Sequence, residues 1–259
     1  MKGILTLSLL VTLLFSVNSP SLEKGVASPE EMSKKLEQLE HELERLQAIN
    51  EIQNLMGRYE YLHTVNNHKA IVELYSEKAP DVFVNIGVRG HWVGKGKEAA
   101  RRAWGTFIDM DPNTPGNMPI HPITTPVIEV AKDGKTARGV WIGTGFVASK
   151  DAQTGEPKCS WEWDKYGVDF IKEDGKWKFW HFHVYRVFSI GWDDKWAEIF
   201  KTAKEPVITP KYTDYNKPDG PSIDSYPYSL FTVQKLAPAP PEPYEKWDET
   251  NSYGMPVKK

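Results

Sequence analysis

The chain has 259 residues, a formal net charge of −3 and an isoelectric point of about 6.2. This length fits one domain with attached segments, and the charge provides no basic field for nucleic acid. The single cysteine, Cys159, excludes an intrachain disulfide and a zinc site built from cysteines.

Residues 1–19 are predicted to form a signal peptide. Lys2 is followed by the apolar run Ile4–Phe15, which is too short to span a membrane. The sequence Val17-Asn18-Ser19 is not a clean cleavage site, so cleavage and retention as an anchor both stay open. We expect an exported protein, periplasmic or secreted, that is either released or anchored by this segment.

Residues 28–48 are predicted to form a heptad-like helix. Ser28 and Glu31 have the spacing of a capping box around Pro29 at the first helical position. Apolar residues then follow at alternating steps of four and three: Met32, Leu36, Leu39, Leu43 and Leu46. The pattern indicates either a helix packed on its own domain or a short coiled coil between subunits.

Shorter elements alternate between residues 49 and 130. A second amphipathic helix runs from Ile49 to His63, and the Asn66-Asn67 pair breaks it. A short helix is predicted at Ala70–Tyr75, a first strand at Val82–Ile86 and a helix at Lys97–Ile108. Asp111–Met118 is predicted to be a loop, and His121 is predicted to open a strand that continues to Val130.

Three long strands are predicted next, at Thr136–Ala148, Trp161–Ile171 and Trp177–Phe188. Apolar and polar residues alternate along them, and the sequence Asp174-Gly175 between the last two indicates a tight hairpin turn. Helices that precede an antiparallel sheet are typical of an α+β fold. A helix laid across such a curved sheet makes a cone that can hold a small molecule.

The tail at residues 204–259 changes in character. Prolines interleave with tyrosines and Trp247 along it. Disordered linkers contain fewer aromatic residues, so we expect an extended arm that lies on the domain or on a neighbouring subunit.

The order of these features resembles the SnoaL-like branch of the nuclear transport factor 2-like superfamily, most closely scytalone dehydratases and bile acid dehydratases. The resemblance rests on Tyr59-x-Tyr61 in a helix, on His121 ahead of a long strand and on the hairpin sequence EDGKWKFWHF. It covers roughly Ile49 to Lys201, and we assign the domain to residues 49–203. It implies a cone-shaped α+β barrel with the ligand in its open end, and oligomers are usual.

The resemblance also implies site residues. His121 matches the position of the family's base, and the acid that pairs with this base falls near Asn66. Two polar pocket positions fall on Asp164 and Tyr166, and pocket positions on the last strand fall on Phe182 and on Val184 and Arg186. A second family histidine and a tyrosine fall on Val147 and near Ile86, so those two groups are not kept.

The residues themselves support part of this site. Alternation places Glu162, Asp164 and Tyr166 on one face of their strand. Asp164 could orient a histidine, or it could form a structural ion pair with Arg186. His63 lies on the apolar side of its helix, where it could line the pocket mouth or merely end the helix.

We therefore expect a lyase of dehydratase type, or an isomerase, that acts on a small, largely apolar ring compound. The catalytic residues would be His121 as base, Asp164 and Tyr61. The substrate contacts would be Tyr59, His63, Asn66, Tyr166, Phe182 and Arg186. No cofactor is expected, since the chemistry needs none and no phosphate-binding or dinucleotide-binding motif is present. No metal is expected either, since His181 and His183 have no third ligand at a convincing spacing. The alternative is a non-catalytic small-molecule binding protein, and either form would be a homo-oligomer, dimer or trimer.

Overall fold

The computed structural model describes residues 28–108, 115–151, 154–199, 201, 212–223 and 227–255. These residues form two units, one that ends at Glu40 and a larger one from His41 onward. The predicted signal peptide lies outside the described residues. Among the helices in these ranges, none is long and apolar enough to cross a membrane.

Helix α1, Pro29–Thr64, covers both helical segments predicted between residues 28 and 63. The capping box is present at its start. The Glu31 amide donates to Ser28 Oγ at 3.2 Å, and the Ser28 amide donates to Glu31 Oε2 at 2.8 Å. The helix ends before Asn66, which has a positive φ of 56°, and Asn67 caps the next helix.

The remaining elements follow in chain order. The helices are α2 (His68–Val72), α3 (Glu98–Ile108) and α4 (Trp196–Ile199), with short 3-10 turns at Gly87–Arg89 and Glu249–Asn251. The strands are β1 (Val82–Ile86), β2 (Gly90–Gly94), β3 (Met118–Ile120), β4 (Ile123–Val130), β5 (Thr136–Lys150), β6 (Pro157–Glu173) and β7 (Lys176–Gly191). The short helix begins and ends earlier than the predicted Ala70–Tyr75. His121 does not open a strand but lies in the break between β3 and β4.

The seven strands form one curled, unclosed sheet in the order β2-β1-β7-β6-β5, with β3 and β4 both paired to β5. Only β1 and β7 are parallel. The α+β cone expected from the sequence is therefore present. The β6–β7 hairpin turns at Asp174 and Gly175, whose φ angles of 50° and 75° are those of a type I′ turn.

Two register shifts bend the long hairpin. Opposite β6, strand β7 carries one extra residue at Trp180 and another at Val187. Such bulges bend a strand and increase its twist. The second bulge lies directly after Arg186, so the bend falls where that side chain enters the concave side of the sheet.

The concave side is filled by aromatic side chains under α1. The buried face of this helix consists of Ala48, Ile52, Leu55, Met56 and Tyr59. The Tyr59 ring lies 4.8 Å from the Phe182 ring and 6.1 Å from the Phe179 ring, measured between centroids. This packing closes the narrow end of the cone and leaves the other end open.

The described part of the C-terminal arm covers the opposite face of the sheet. Asp169 Oδ2 accepts hydrogen bonds from the Tyr253 amide at 3.0 Å and from Ser252 Oγ at 2.5 Å, and His181 Nδ1 lies 2.6 Å away. His183 contacts the carbonyl oxygens of Ile223 and Tyr253. The arm therefore lies on its own domain and supplies partners for polar groups that β6 and β7 bury on that face.

Candidate functional site

A cavity of about 130 Å³ opens at the wide end of the cone. Helices α1 and α3, the turn after β1 and strands β5, β6 and β7 all contribute to its wall. Its apolar lining is Ile86, Val88, Trp104, Pro119, Val147 and Val184, and its polar lining is Tyr59, His63, Arg89, His121, Glu162, Asp164, Tyr166 and Arg186. His121, Asp164 and Arg186 were predicted to converge on one cavity with Tyr61 or Tyr59 at its helical wall; the three side chains do line one cavity, and of the two tyrosines Tyr59 lies in its wall.

A chain of four charged or titratable groups lies on one side of this cavity. Arg186 Nε donates to Asp164 Oδ1 at 2.5 Å, and Arg186 Nη2 lies 2.8 Å from Glu162 Oε2. His121 Nε2 lies 3.2 Å from the same Glu162 oxygen. All four side chains are at least 87% shielded from solvent. Glu162 therefore connects the guanidinium to the imidazole.

Burial and charge pairing together determine the protonation of these four side chains. Burial opposes ionisation of Glu162, but Arg186 and His121 outweigh it and lower the pKa of Glu162 to about 2. Burial raises the pKa of Asp164 to about 6. Arg186 offsets this increase only in part, and the nearby Glu162 charge adds to it. Burial also disfavours the His121 cation, yet Glu162 more than compensates, so the pKa of His121 lies above its ordinary value.

These states fix the tautomer of neutral His121. An ionised carboxylate only accepts hydrogen bonds, so Nε2 must carry the proton that points to Glu162. The lone pair is then on Nδ1, which is buried and has no partner among the described residues. An imidazole with this arrangement has the free lone pair and the fixed orientation that a general base requires.

Two glycines on β5 make room for the site. A Cβ at Gly145 would lie 2.4 Å from His121 Cδ2, and a Cβ at Gly143 would lie 2.8 Å from Tyr166 Cε2. In the register of the sheet, these glycines lie opposite Glu162 and Asp164. The face of β5 left without side chains at these two glycines therefore admits the rings of His121 and Tyr166.

Glu60 on α1 fixes the backbone at the histidine. Its Oε1 accepts a hydrogen bond from the His121 amide at 2.7 Å, and its Oε2 is buried without a partner in the described ranges. Burial raises the pKa of Glu60 to about 7. Glu60 is not among the site residues predicted from the sequence, although Met56, Tyr59, Glu60 and His63 form an i, i+3, i+4, i+7 stripe that marks one helix face.

Glu162 was also missed as a site residue. The alternation of β6 places Glu162 on the same face as Asp164 and Tyr166, so the sequence does mark it as a candidate. The resemblance, however, implies a pocket position at Asp164 and none at Glu162. In the structure Asp164 does not contact His121 through a described hydrogen bond and pairs with Arg186 instead. The carboxylate that orients the imidazole is therefore one alternation step nearer the strand's start.

Three predicted site residues lie away from the cavity. The Tyr61 side chain is 82% exposed, because residues two apart on a helix point to nearly opposite sides and Tyr59 takes the inner one. Asn66 lies in the turn after α1 and does not line the cavity. Phe182 is fully buried beneath Tyr59 and Tyr166, so it supports the cavity floor without reaching the ligand space.

The remaining predicted contacts line the cavity. Tyr59, Tyr166 and His63 are in its wall, and the His63 ring lies 5.2 Å from the His121 ring. Burial, followed by the nearby His121 and His68, holds the pKa of His63 well below its ordinary value. His63 is therefore neutral next to the proposed base, and its Nδ1 lies 3.2 Å from His68 Nε2.

The site also contains a possible set of metal ligands. Ligand atoms of His121, Glu162 and Asp164 all lie within 4.8 Å of one another. Arg186 already bonds to both carboxylates, so a divalent ion would have to displace the guanidinium. The cation bound by Glu162 and Asp164 is thus the Arg186 guanidinium. His181 and His183 face the C-terminal arm and take no part in the cluster.

Several solved structures are similar to this chain. Among solved structures, a putative scytalone dehydratase from Novosphingobium aromaticivorans is 15% identical, and the match covers 64% of this chain and 97% of that one at a TM-score of 0.45. A hexachlorocyclohexane dehydrochlorinase from Novosphingobium barchaimii LL02 is 16% identical, with 60% and 96% covered and a TM-score of 0.45. No curated protein sequence matches the chain.

The family is shown by a family model rather than by these structures. The model described as a SnoaL-like domain matches residues 44–183, which is more than half of the chain. The matched range contains α1 from Glu44 onward, His121 and the strands that carry Glu162 and Asp164. The chain therefore belongs to the SnoaL-like domain family.

Proposed function

We propose that this protein is a cofactor-free lyase of dehydratase type, or an isomerase, that acts on a small, largely apolar ring compound. The observation that carries the proposal is the His121–Glu162 pair in the wall of the cavity. A buried histidine with an oriented tautomer and a raised pKa has the properties of a general base.

The proposed reaction begins with proton removal. Nδ1 of neutral His121 takes a proton from a substrate carbon next to an activating group, and the imidazolium that forms is stabilised by Glu162 at 3.2 Å. The electron pair from the broken C–H bond then forms a double bond while a leaving group departs with its own electron pair. In an isomerase the proton returns to another carbon and no group is lost.

Arg186 is suited to the negative charge that develops in this step. Its Nε and Nη2 are held by Asp164 and Glu162, and its buried Nη1 has no partner among the described residues. A guanidinium fixed in advance stabilises an oxyanion or a departing anion without having to reorganise. Tyr166 lines the same cavity and is a further hydrogen-bond donor to the substrate.

The size and lining of the cavity support the substrate class. A cavity of about 150 Å³ lined by aliphatic and aromatic side chains is large enough for benzene. The cavity here has a volume of about 130 Å³, with six apolar residues in its lining and eight polar or charged ones. A compound with one ring and few polar groups matches this space.

A binding protein without catalysis is the second candidate, and one observation favours it. Both carboxylates in the cavity wall are already bonded to Arg186, so the charges compensate each other without any ligand. The family acid expected near Asn66 is also absent. In this case the cavity would select a ligand by shape, and His121 would only donate or accept a hydrogen bond.

The test starts from the small molecules that copurify with the protein from its native source, identified by mass spectrometry. Each is incubated with the protein in D₂O, and deuterium incorporation and product formation are followed by NMR. An enzyme exchanges or converts its ligand, and His121→Ala abolishes this while the fold remains intact. Binding without exchange, unchanged by His121→Ala, would establish the binding protein instead.

A further inference from the structure

Helix α1 has an exposed apolar stripe. Its members are Met32, Leu36, Leu39, Leu43 and Leu46, and each side chain is at least 50% exposed. They follow one another at steps of four, three, four and three residues, as in a heptad repeat. We call these five residues the leucine seam.

The seam is distinct from the face of α1 that packs against the sheet. The buried face begins at Ala48 and continues with Ile52, Leu55 and Met56. Arg45 is turned toward the sheet, where its guanidinium donates to the Val130 carbonyl at 3.1 Å. The helix therefore has two apolar faces, and within the described residues only one of them has a partner.

We propose that the leucine seam joins two copies of this chain as a parallel, two-stranded coiled coil. In heptad notation Leu36 and Leu43 occupy position a, while Met32, Leu39 and Leu46 occupy position d. A second copy is the partner because a heptad seam is complementary to itself when the helices align in register. Nothing in the proposed reaction depends on this assembly.

Charge at the edges of the seam favours the parallel orientation. Lys35 is at position g and Glu40 is at the following position e, so each lysine faces the other chain's glutamate in a parallel pair. An antiparallel pair that matches Leu36 with Leu46 and Leu39 with Leu43 is centred on residue 41. It would bring Glu40 and Glu42 of the two chains together, and like charges there are unfavourable.

Asn50 favours two strands over three. It lies seven residues after Leu43, at the next position a, and its side chain is exposed. A single asparagine at position a pairs with its copy across the seam and specifies register and strand number at a cost in stability. It therefore selects the two-stranded, in-register pair.

The seam is short, but the helix is already formed without the partner. Isolated helices of this length are marginal in water because nucleation is unfavourable. Here α1 continues to Thr64, and its last four turns are held by buried contacts with the sheet. Association therefore requires fewer residues to be ordered than in a free peptide.

Light scattering and sedimentation of the full chain over a wide range of concentrations test the proposal. The expected particle is a dimer, and Leu36→Glu with Leu43→Glu makes it a monomer with an unchanged circular dichroism spectrum and thermal midpoint. The matched control is Glu37→Gln with Glu44→Gln, on the same helix away from the seam, and it stays dimeric. A monomeric wild type, a trimer, or a dimer that survives the leucine substitutions would overturn the proposal.

Two further experiments, charge reversal and disulfide cross-linking, test the orientation of the two helices. Lys35→Glu raises the dimer dissociation constant about tenfold, and adding Glu40→Lys restores it, because opposite charges again face each other. In a Cys159→Ser background, Leu39→Cys forms an interchain disulfide on mild oxidation, since identical d positions meet only in a parallel, in-register pair. Cross-linking only in a mixture of Leu39→Cys and Leu43→Cys chains would show an antiparallel pair and overturn the proposed orientation.

Discussion

Glu162 on strand β6 lies 3.2 Å from Nε2 of His121, so the carboxylate that orients the imidazole comes from the sheet. The family resemblance places this acid near the end of the first helix, where the chain has Asn66. The helix still contributes a carboxyl, since Glu60 binds the His121 amide. One carboxyl therefore sets the backbone of His121, and another sets its ring.

The first prediction concerns the proton affinity of His121. Glu162→Gln removes the charge that raises the pKa of His121, so that pKa falls because burial is no longer offset. The imidazole signals in an NMR pH titration report the change. In the proposed enzyme, activity of the wild type falls as pH drops through the pKa of His121, and this fall moves to lower pH in Glu162→Gln.

The control for this prediction is Glu156→Gln, an exposed carboxyl on the approach to β6. It should leave the His121 titration where it is. A His121 midpoint that stays unchanged in Glu162→Gln would show that the two side chains do not interact in solution.

The second prediction concerns the space that Gly145 leaves for the His121 ring. In Gly145→Ala the new methyl group would overlap Cδ2 and Nε2, so the ring must leave its place beside Glu162. We expect a loss of about 1–3 kcal/mol in the free energy of unfolding, as for other overpacked sites, together with loss of ligand binding. Chemical denaturation and the His121 NMR signals measure the two effects.

Gly57→Ala is the matched control. Nothing lies within 4 Å of a Cβ at this position in the middle of α1, so alanine should stabilise the helix by about 0.5–1 kcal/mol. If Gly145→Ala were as well tolerated as Gly57→Ala, the close approach of His121 to β5 would be wrong.

The third prediction concerns the anchor of the C-terminal arm. The buried Asp169 Oδ2 accepts from Ser252 and from the Tyr253 amide and lies next to His181. Asp169→Ala leaves these groups without their acceptor, and we expect a cost of about 3 kcal/mol. Urea denaturation measures it, and faster proteolysis within residues 245–255 should accompany it.

Asp193→Ala serves as its control, since Asp193 is exposed in the turn after β7. It should change the free energy of unfolding by less than about 0.5 kcal/mol. Equal effects of the two substitutions would show that the arm is not held at Asp169.

Local sequence patterns predicted much of the fold. The Asp174-Gly175 pair predicted the tight turn because both residues tolerate positive φ, and the structure has them there. Alternation placed Asp164 and Tyr166 on the cavity face because β6 has no extra residue along its pairing with β5. Short-range rules hold where geometry depends on a few neighbouring residues.

The rest depends on contacts between distant residues. The bulges at Trp180 and Val187 depend on the pairing of β7 with β6, and β7 has no local sequence mark for them. The prediction that Asp164 orients the His121 ring was wrong for a similar reason. Glu162 and Glu60 are 41 and 61 residues away from His121 in the sequence. Which of the two contacts the imidazole and which contacts the backbone amide depends on how the folded cone brings them together.

The last prediction concerns the dependence of stability on pH. Burial raises the pKa of Glu60 from 4.5 to about 7, so the folded state holds this proton more tightly than the unfolded state does. The stability that the proton contributes is fully present below about pH 4.5 and is lost as pH rises through about 7. The free energy of unfolding falls by about 3 kcal/mol over this range.

Glu60→Gln keeps an oxygen for the His121 amide but carries no charge. The free energy of unfolding of this variant, relative to the wild type, should therefore increase between about pH 5 and pH 8. Urea denaturation at a series of pH values measures the difference, with Glu51→Gln as the exposed control on the same helix, for which the difference should stay flat. A flat difference for Glu60→Gln as well would mean that this carboxyl is solvated, and that a water-accessible group, not a buried one, binds the backbone of the proposed base.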